Sequence, residues 1–196
     1  RLCEKAKRPI SSDLLNLLGL KQGGVQVVAV CVYHHLIKEA NKNLPNNIPV
    51  AAVSTGFPAG LSSYKTRKIE ITESIKNGAD EIDIVINRVF VLQNNWKKLY
   101  EEVADFKKVA KNKHIKAILG VGDLETLRNV AKASMVCMMA GADFIKTSTG
   151  KETINANLNN SLVMLRMIRH YYQMTGKKIG FKPAGGISTA KTVIEF

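Results

Sequence analysis

The sequence predicts an α/β fold, a (β/α)8 or TIM barrel truncated at both ends with six of its eight strands visible. Three observations carry this expectation. Short β-branched runs alternate with longer helical patterns along almost the whole chain, as parallel strands joined by crossover helices require. Two junctions repeat each other: NGADEIDIVIN (77–87) and AGADFIKTSTG (140–150) both run helix, glycine stop, Ala-Asp, strand. The fingerprints of a doubly wound nucleotide-binding sheet are missing, since GVGDLE (120–125) lacks a third glycine and STGKE places Glu152 where a Walker loop needs Ser or Thr.

The chain opens inside a helical pattern, RLCEKAK, and ends partway into another, STAKTVIEF. Between them the expected strands are VQVVAVCVY (25–33), PVAAVSTGF (49–57), EIDIVIN (81–87), IKAILGV (115–121), DFIKTSTG (143–150) and KIGFKPAGG (178–186). The helix SSYKTRKIEITESIKNG is expected to take Ser62 or Ser63 as N-cap and Gly78 as its stop; DLETLRNVAKASMVCMMAG, Asp123 and Gly141. A complete barrel usually needs about 250 residues. The 196 here are read as a single domain, residues 1–196, lacking the first and last strands.

Composition narrows the function classes. With 45% hydrophobic residues the chain can bury a core, and it contains neither an apolar run of membrane-spanning length nor an N-terminal h-region. A cytoplasmic protein without membrane partners is expected. Cys3, Cys31 and Cys137 form no C-x-x-C, and His34, His35, His114 and His170 match no metal spacing, so neither disulfide nor metal is expected. The formal charge of +13 attracts polyanions, either nucleic acid or small phosphorylated substrates. Its densest basic stretch, Lys97 to Lys116, follows a helical pattern with no aromatics interleaved on the basic face and reads as a solvated helix surface. No nucleic-acid partner is expected.

Strand alternation places the chemistry. In EIDIVIN, Ile82, Ile84 and Ile86 suit the helix layer, so Asp83 points into the barrel. By the same parity Phe144, Lys146 and Ser148 point inward, as do Gly180 and Lys182. Asp83, Lys146 and Lys182 would thus converge near the carboxyl ends of three strands, where barrel active sites are built. Either lysine alone could equally be a strand-end residue whose stem reaches solvent; two of them opposite an inward carboxylate favour chemistry, because buried charges persist only when paired or used.

Two close lysines and a carboxylate suit amine catalysis. A lysine attacks a carbonyl only when neutral, and lowering its pKa from ~10.4 to about 7 corresponds to ~4.6 kcal/mol. A second ammonium at ~4 Å supplies ~4 kcal/mol of that at an effective dielectric of about 20. The Schiff base so formed lets a neighbouring carbon–carbon bond break through an enamine, with Asp83 and Lys182 moving protons through a water. The turns TSTGK (147–151) and PAGGIS (183–188) then suggest an anion cradle from Thr149, Gly150, Lys151, Gly185, Gly186 and Ser188, and Cys31 shares the inward face.

The segments AVCVY (29–33), GFPAG (56–60), GADEIDIVIN (78–87), GADFIKTSTGKET (141–153) and GFKPAGG (180–186), in that order and at fitting distances, resemble the deoxyribose-phosphate aldolases, a family of class I aldolases. The resemblance implies reversible cleavage of 2-deoxy-D-ribose 5-phosphate to D-glyceraldehyde 3-phosphate and acetaldehyde, in deoxyribonucleotide catabolism, without metal or organic cofactor. It implies that Lys146 forms the Schiff base, that Lys182 and Asp83 are its acid/base partners, and that the two glycine turns hold a small phosphorylated sugar. The chain departs from the family pattern at Ser188, where arginine is usual, at GVGDL (120–124), where Thr-Gly-Glu is expected, and at His34, in place of a proline. A homodimer is the oligomeric state this reading leaves open. The alternatives are a non-catalytic aldolase-fold paralogue or fragment and a basic nucleic-acid-binding protein.

Overall fold

The structure, a computed structural model, describes residues 1–17, 19 and 26–196. Its strands are β1 (Val30–Tyr33), β2 (Val50–Ser54), β3 (Glu81–Val85), β4 (His114–Ile118), β5 (Phe144–Lys146) and β6 (Gly180–Lys182). They pair in chain order, every pair parallel, so each connection crosses over through helix. The helices are α1 (Leu2–Ala6), α2 (Ser12–Leu17), α3 (Ile37–Asn43), α4 (Tyr64–Lys76), α5 (Arg88–Leu92), α6 (Trp96–Ala110), α7 (Leu127–Met139), α8 (Leu158–Thr175) and α9 (Ala190–Glu195). Six successive strand–helix units in this order are an α/β arrangement consistent with a truncated (β/α)8 barrel. Among the described residues no helix is long and apolar enough to cross a membrane.

The period of two along the strands decides what each face contains. Ala52, Ile82, Ile84, Ile115, Ala117 and Ile145 pack with Val103 and Phe106 of α6, Val130 and Cys137 of α7 and Met164 of α8 in one buried core. The opposite face carries Cys31, Val53, Asp83, Lys116, Lys146 and Lys182, so the charged residues share the side of the sheet that the helices do not cover. Burying the isoleucine face and keeping a one-residue register slip from exposing it fixes that placement.

Two expectations are corrected by the local chemistry. The first strand covers only Val30–Tyr33 of the expected 25–33, Val25 lying outside the described residues. Its partner begins at Val50, because Pro49 has no N–H to extend the ladder and the chain before it turns through Ile48 N–H to the Pro45 carbonyl. Asp123 does not cap α7. It sits in a 3-10 turn over Val121–Asp123, Glu125 then takes φ 62°, and the Thr126 hydroxyl accepts from Asn129 N–H as the cap. At the other expected caps, Ser63 accepts from Thr66 N–H, and Gly78 and Gly141 follow their helices at φ 99° and 97°.

Behind the carboxyl ends of β2 and β3, Arg67 of α4 is buried with Glu102 of α6 at 2.5 Å, and its guanidinium also donates to the carbonyls of Thr55 and Val85. The pair ties two helices to two strand ends and keeps the sheet's upper rim in register. On the inner face Gly180 lies against its cross-strand neighbour Phe144, where an added Cβ would fall 2.0 Å from the ring. Gly180→Ala must push that ring aside, an overpacking that costs ~1–3 kcal/mol. Denaturant midpoints at unchanged m-value would read it, and an unshifted midpoint would show that the ring is free to move.

Candidate active site

Asp83 stands in the middle of β3 and is fully buried, with a side-chain exposure of 0%. Its neighbours in the ladder are Val53 on β2 and Lys116 on β4. Lys146 and Lys182 occupy paired positions at the carboxyl ends of β5 and β6. The stagger of tilted strands brings these registers to one height. Lys146 Nζ and Lys182 Nζ both donate to Asp83 Oδ2 at 2.9 Å, so the two amines are separated by less than twice that distance. A single water can bridge such a gap. Lys146 is 6% exposed and Lys182 32%, so one amine is enclosed and the other reaches the mouth.

Sequence reasoning missed a third lysine. Lys116 was assigned to the solvated basic surface, but it is a buried residue of β4. Its ammonium pairs with Glu81 and approaches Asp83 Oδ1 at 3.3 Å. The alternation in IKAI carried the signal, since Ile115 and Ala117 face the helices and leave Lys116 opposite. With Glu81 and Asp83 against three ammonium groups, the cluster holds one positive charge more than it can neutralise.

The charges shape one another's titration. Burial alone would push the Asp83 carboxyl up, but Lys146, Lys182 and Lys116 outweigh it and hold the group far below the usual carboxylate range. Burial pulls the Lys182 ammonium down, and the Asp83 carboxylate more than offsets this, leaving it raised. Cys31 Sγ lies 3.7 Å from Asp83 Oδ2, and burial followed by that negative charge pushes its thiol up. It is therefore a neutral wall of the site.

The two glycine turns meet above the lysines. A Cβ on Gly150 would stand 3.7 Å from Gly185 Cα, and the Thr147 hydroxyl accepts from Ala184 N–H at 2.9 Å. Gly185 and Gly186 adopt φ 85° and 80°, a conformation that glycine reaches without a Cβ penalty. Two of the expected anion donors are already engaged: Thr149 N–H donates to Glu152 and Lys151 N–H to the Thr149 hydroxyl. Lys151, Gly186 and Ser188 are exposed. Among the described residues, the Lys151 ammonium and the backbone at Gly186, where a Cβ would meet nothing within 4 Å, stay open at this rim, whereas Gly185 packs against Asn155. The helix after Gly186 begins only at Ala190 and is capped by Thr189, so it lies beyond the turn.

The family model for the DeoC/LacD family aldolases matches residues 3–195. The chain belongs to this aldolase family. It is 54% identical over 194 residues to the deoxyribose-phosphate aldolase of Mus musculus and to that of Homo sapiens, matches that cover 97% of this chain and 61% of each relative. The chain thus spans about three fifths of the length of these aldolases. Among solved structures, the aldolase QR15 superposes with a TM-score of 0.76 at 29% identity, covering 85% of this chain and 71% of that one. The tetrameric deoxyribose phosphate aldolase of Aeropyrum pernix shares the fold at a TM-score of 0.70 and 22% identity, covering 96% of this chain and 76% of that one.

Proposed function

We propose that this chain carries the Schiff-base site of a class I aldolase that reversibly cleaves 2-deoxy-D-ribose 5-phosphate to D-glyceraldehyde 3-phosphate and acetaldehyde. The observation that carries the reading is the sharing of one buried Asp83 oxygen by Lys146 and Lys182. The family membership and the names of the mouse and human relatives support it.

In the cleavage direction the neutral Lys146 amine adds to the aldehyde carbon C1, and loss of water leaves a protonated imine. A base takes the proton of the C3 hydroxyl, the C2–C3 bonding pair flows toward the imine, and glyceraldehyde 3-phosphate departs, leaving an enamine on Lys146. Protonation at C2 and hydrolysis release acetaldehyde and regenerate the amine. Asp83, held ionised, serves as acceptor and anchor and not as a proton donor. The Lys182 ammonium, partly exposed and beside it, gives its proton through a water to the departing carbinolamine hydroxyl; the amine left behind takes the C3-hydroxyl proton and then returns one to C2. Lys116 keeps the Asp83 carboxylate ionised and oriented. The Lys151 ammonium and the turn around Gly150, Gly185 and Gly186 receive the phosphate. The same reading takes the protein as cytosolic and a second copy of the chain as its partner.

Incubation with acetaldehyde and borohydride should leave an ethyl group on Lys146, located by peptide mass mapping. A folded protein that acquires none, or acquires it on Lys116 or Lys182 instead, overturns the assignment.

A further inference from the structure

Arg88 opens α5 directly after β3 and its guanidinium meets three other strand–helix loops at once. Nη2 donates to the Ala59 carbonyl in the loop after β2 at 3.0 Å. Nε pairs with Asp123 after β4 at 3.1 Å, and Nη1 faces Glu152 after β5 at 3.5 Å. The side chain of Arg88 is 16% exposed and that of Glu152 7%, so this is an enclosed contact and not a surface pair. Room for it is made by Gly120 at φ 67°, where a Cβ would stand 2.8 Å from Arg88 Nη1 and 3.2 Å from Glu152 Oε1.

The other oxygen of Glu152 accepts the Thr149 N–H at 2.9 Å. Burial pushes this carboxyl up, an effect opposed by the Thr149 hydrogen bonds and then by Arg88. Thr149 begins the turn that sets Gly150 against Gly185 and presents the Lys151 ammonium. A guanidinium hydrogen-bonded to the loop after β2, paired with Asp123 and facing Glu152 by charge attraction across 3.5 Å, with Nη1 and Glu152 Oε1 both buried and without a hydrogen bond, steadies the carboxylate whose second oxygen holds that turn. We propose that Arg88 and Glu152 are positioning residues for the phosphate end of the site: Arg88 holds Glu152, Glu152 holds the Thr149 amide, and neither touches the reacting carbons.

This rests on the aldolase reading above, so two measurements are paired in the intact protein. Acetaldehyde–borohydride trapping at Lys146 reads the amine chemistry alone. Calorimetric binding of 2-deoxy-D-ribitol 5-phosphate, which has no carbonyl, reads the phosphate end alone. Arg88→Met and Glu152→Ala should each weaken the ribitol phosphate by about tenfold or more while trapping at Lys146 stays within about threefold of wild type. Glu152→Gln keeps an acceptor for Thr149 N–H but turns its NH2 toward the Arg88 guanidinium, so its affinity should fall between those of wild type and Glu152→Ala. Gly120→Ala, which displaces the guanidinium without removing it, should shift affinity in the same direction as Arg88→Met. Unchanged binding in Arg88→Met, trapping that falls in parallel with binding, a Glu152→Gln as impaired as Glu152→Ala, or a wild type that does not bind the ribitol phosphate would each overturn the positioning role. Failure of trapping in the wild type would instead overturn the aldolase reading.

Discussion

Lys146→Met should abolish borohydride trapping and lower aldol cleavage by ~10⁴-fold or more, the scale on which loss of a covalent nucleophile is felt. The fold should survive the change. Asp83 would still be held by Lys182 and Lys116, so no buried charge is stranded, and methionine fills much of the lysine stem's volume. Circular dichroism and a denaturant midpoint near that of the wild type would show this. Lys182→Met separates the roles: it keeps the nucleophile, so slow trapping should persist while turnover falls by roughly 10²–10⁴-fold, the range of a general acid–base contribution. Were Lys146→Met to retain cleavage above a few per cent, another amine of the cluster would be the nucleophile. Lys116, buried on the same face, would be the first to examine.

Why so much of this site was legible follows from the period of a strand. In EIDIVIN the isoleucines had to face helices, so Asp83 was inward before any contact was known; the same parity put Lys146 and Lys182 inward, and all three share one face. Lys116 escaped because the basic run leading to it is mostly helical: α6 ends at Ala110, and only the four residues from Ile115 to Ile118 show the alternation that turns its side chain inward. Local periodicity also says nothing about where ladders stop. Pro49 limits β1 from the neighbouring strand, a constraint invisible within VQVVAVCVY itself. The Arg88 contacts lay further out of reach, since they join loops after four strands and depend on how the whole rim closes. Nor could spacing reveal that the Thr149 amide is committed to Glu152, which changes the phosphate donors expected from the TSTGK turn.

Asp83→Ala should destabilise the protein by about 3–5 kcal/mol, the usual consequence of removing one partner from a buried ionic group. The distinguishing result is its pH dependence. In the wild type the Asp83 carboxyl lies below its ordinary value of 3.8, so the unfolded chain binds more protons there and the carboxylate's contribution is complete above that pH and lost as pH falls through the lower folded value. The Lys182 ammonium, raised above its ordinary 10.5, contributes fully below that pH and is lost only as pH rises through the folded value. Between these limits the cluster adds little slope. Without Asp83, Lys116 keeps Glu81 while Lys146 and Lys182 face each other in a largely buried space with no carboxylate between them. Repulsion and burial then favour the neutral amine, the unfolded chain binds more protons than the folded one, and stability should climb with pH from about 7 to 10. Urea midpoints of Asp83→Ala across that range should rise while those of the wild type stay level. Parallel profiles would mean that both amines swing out to water once the carboxylate is gone, and a Schiff-base lysine activated by its neighbours would lose its physical footing.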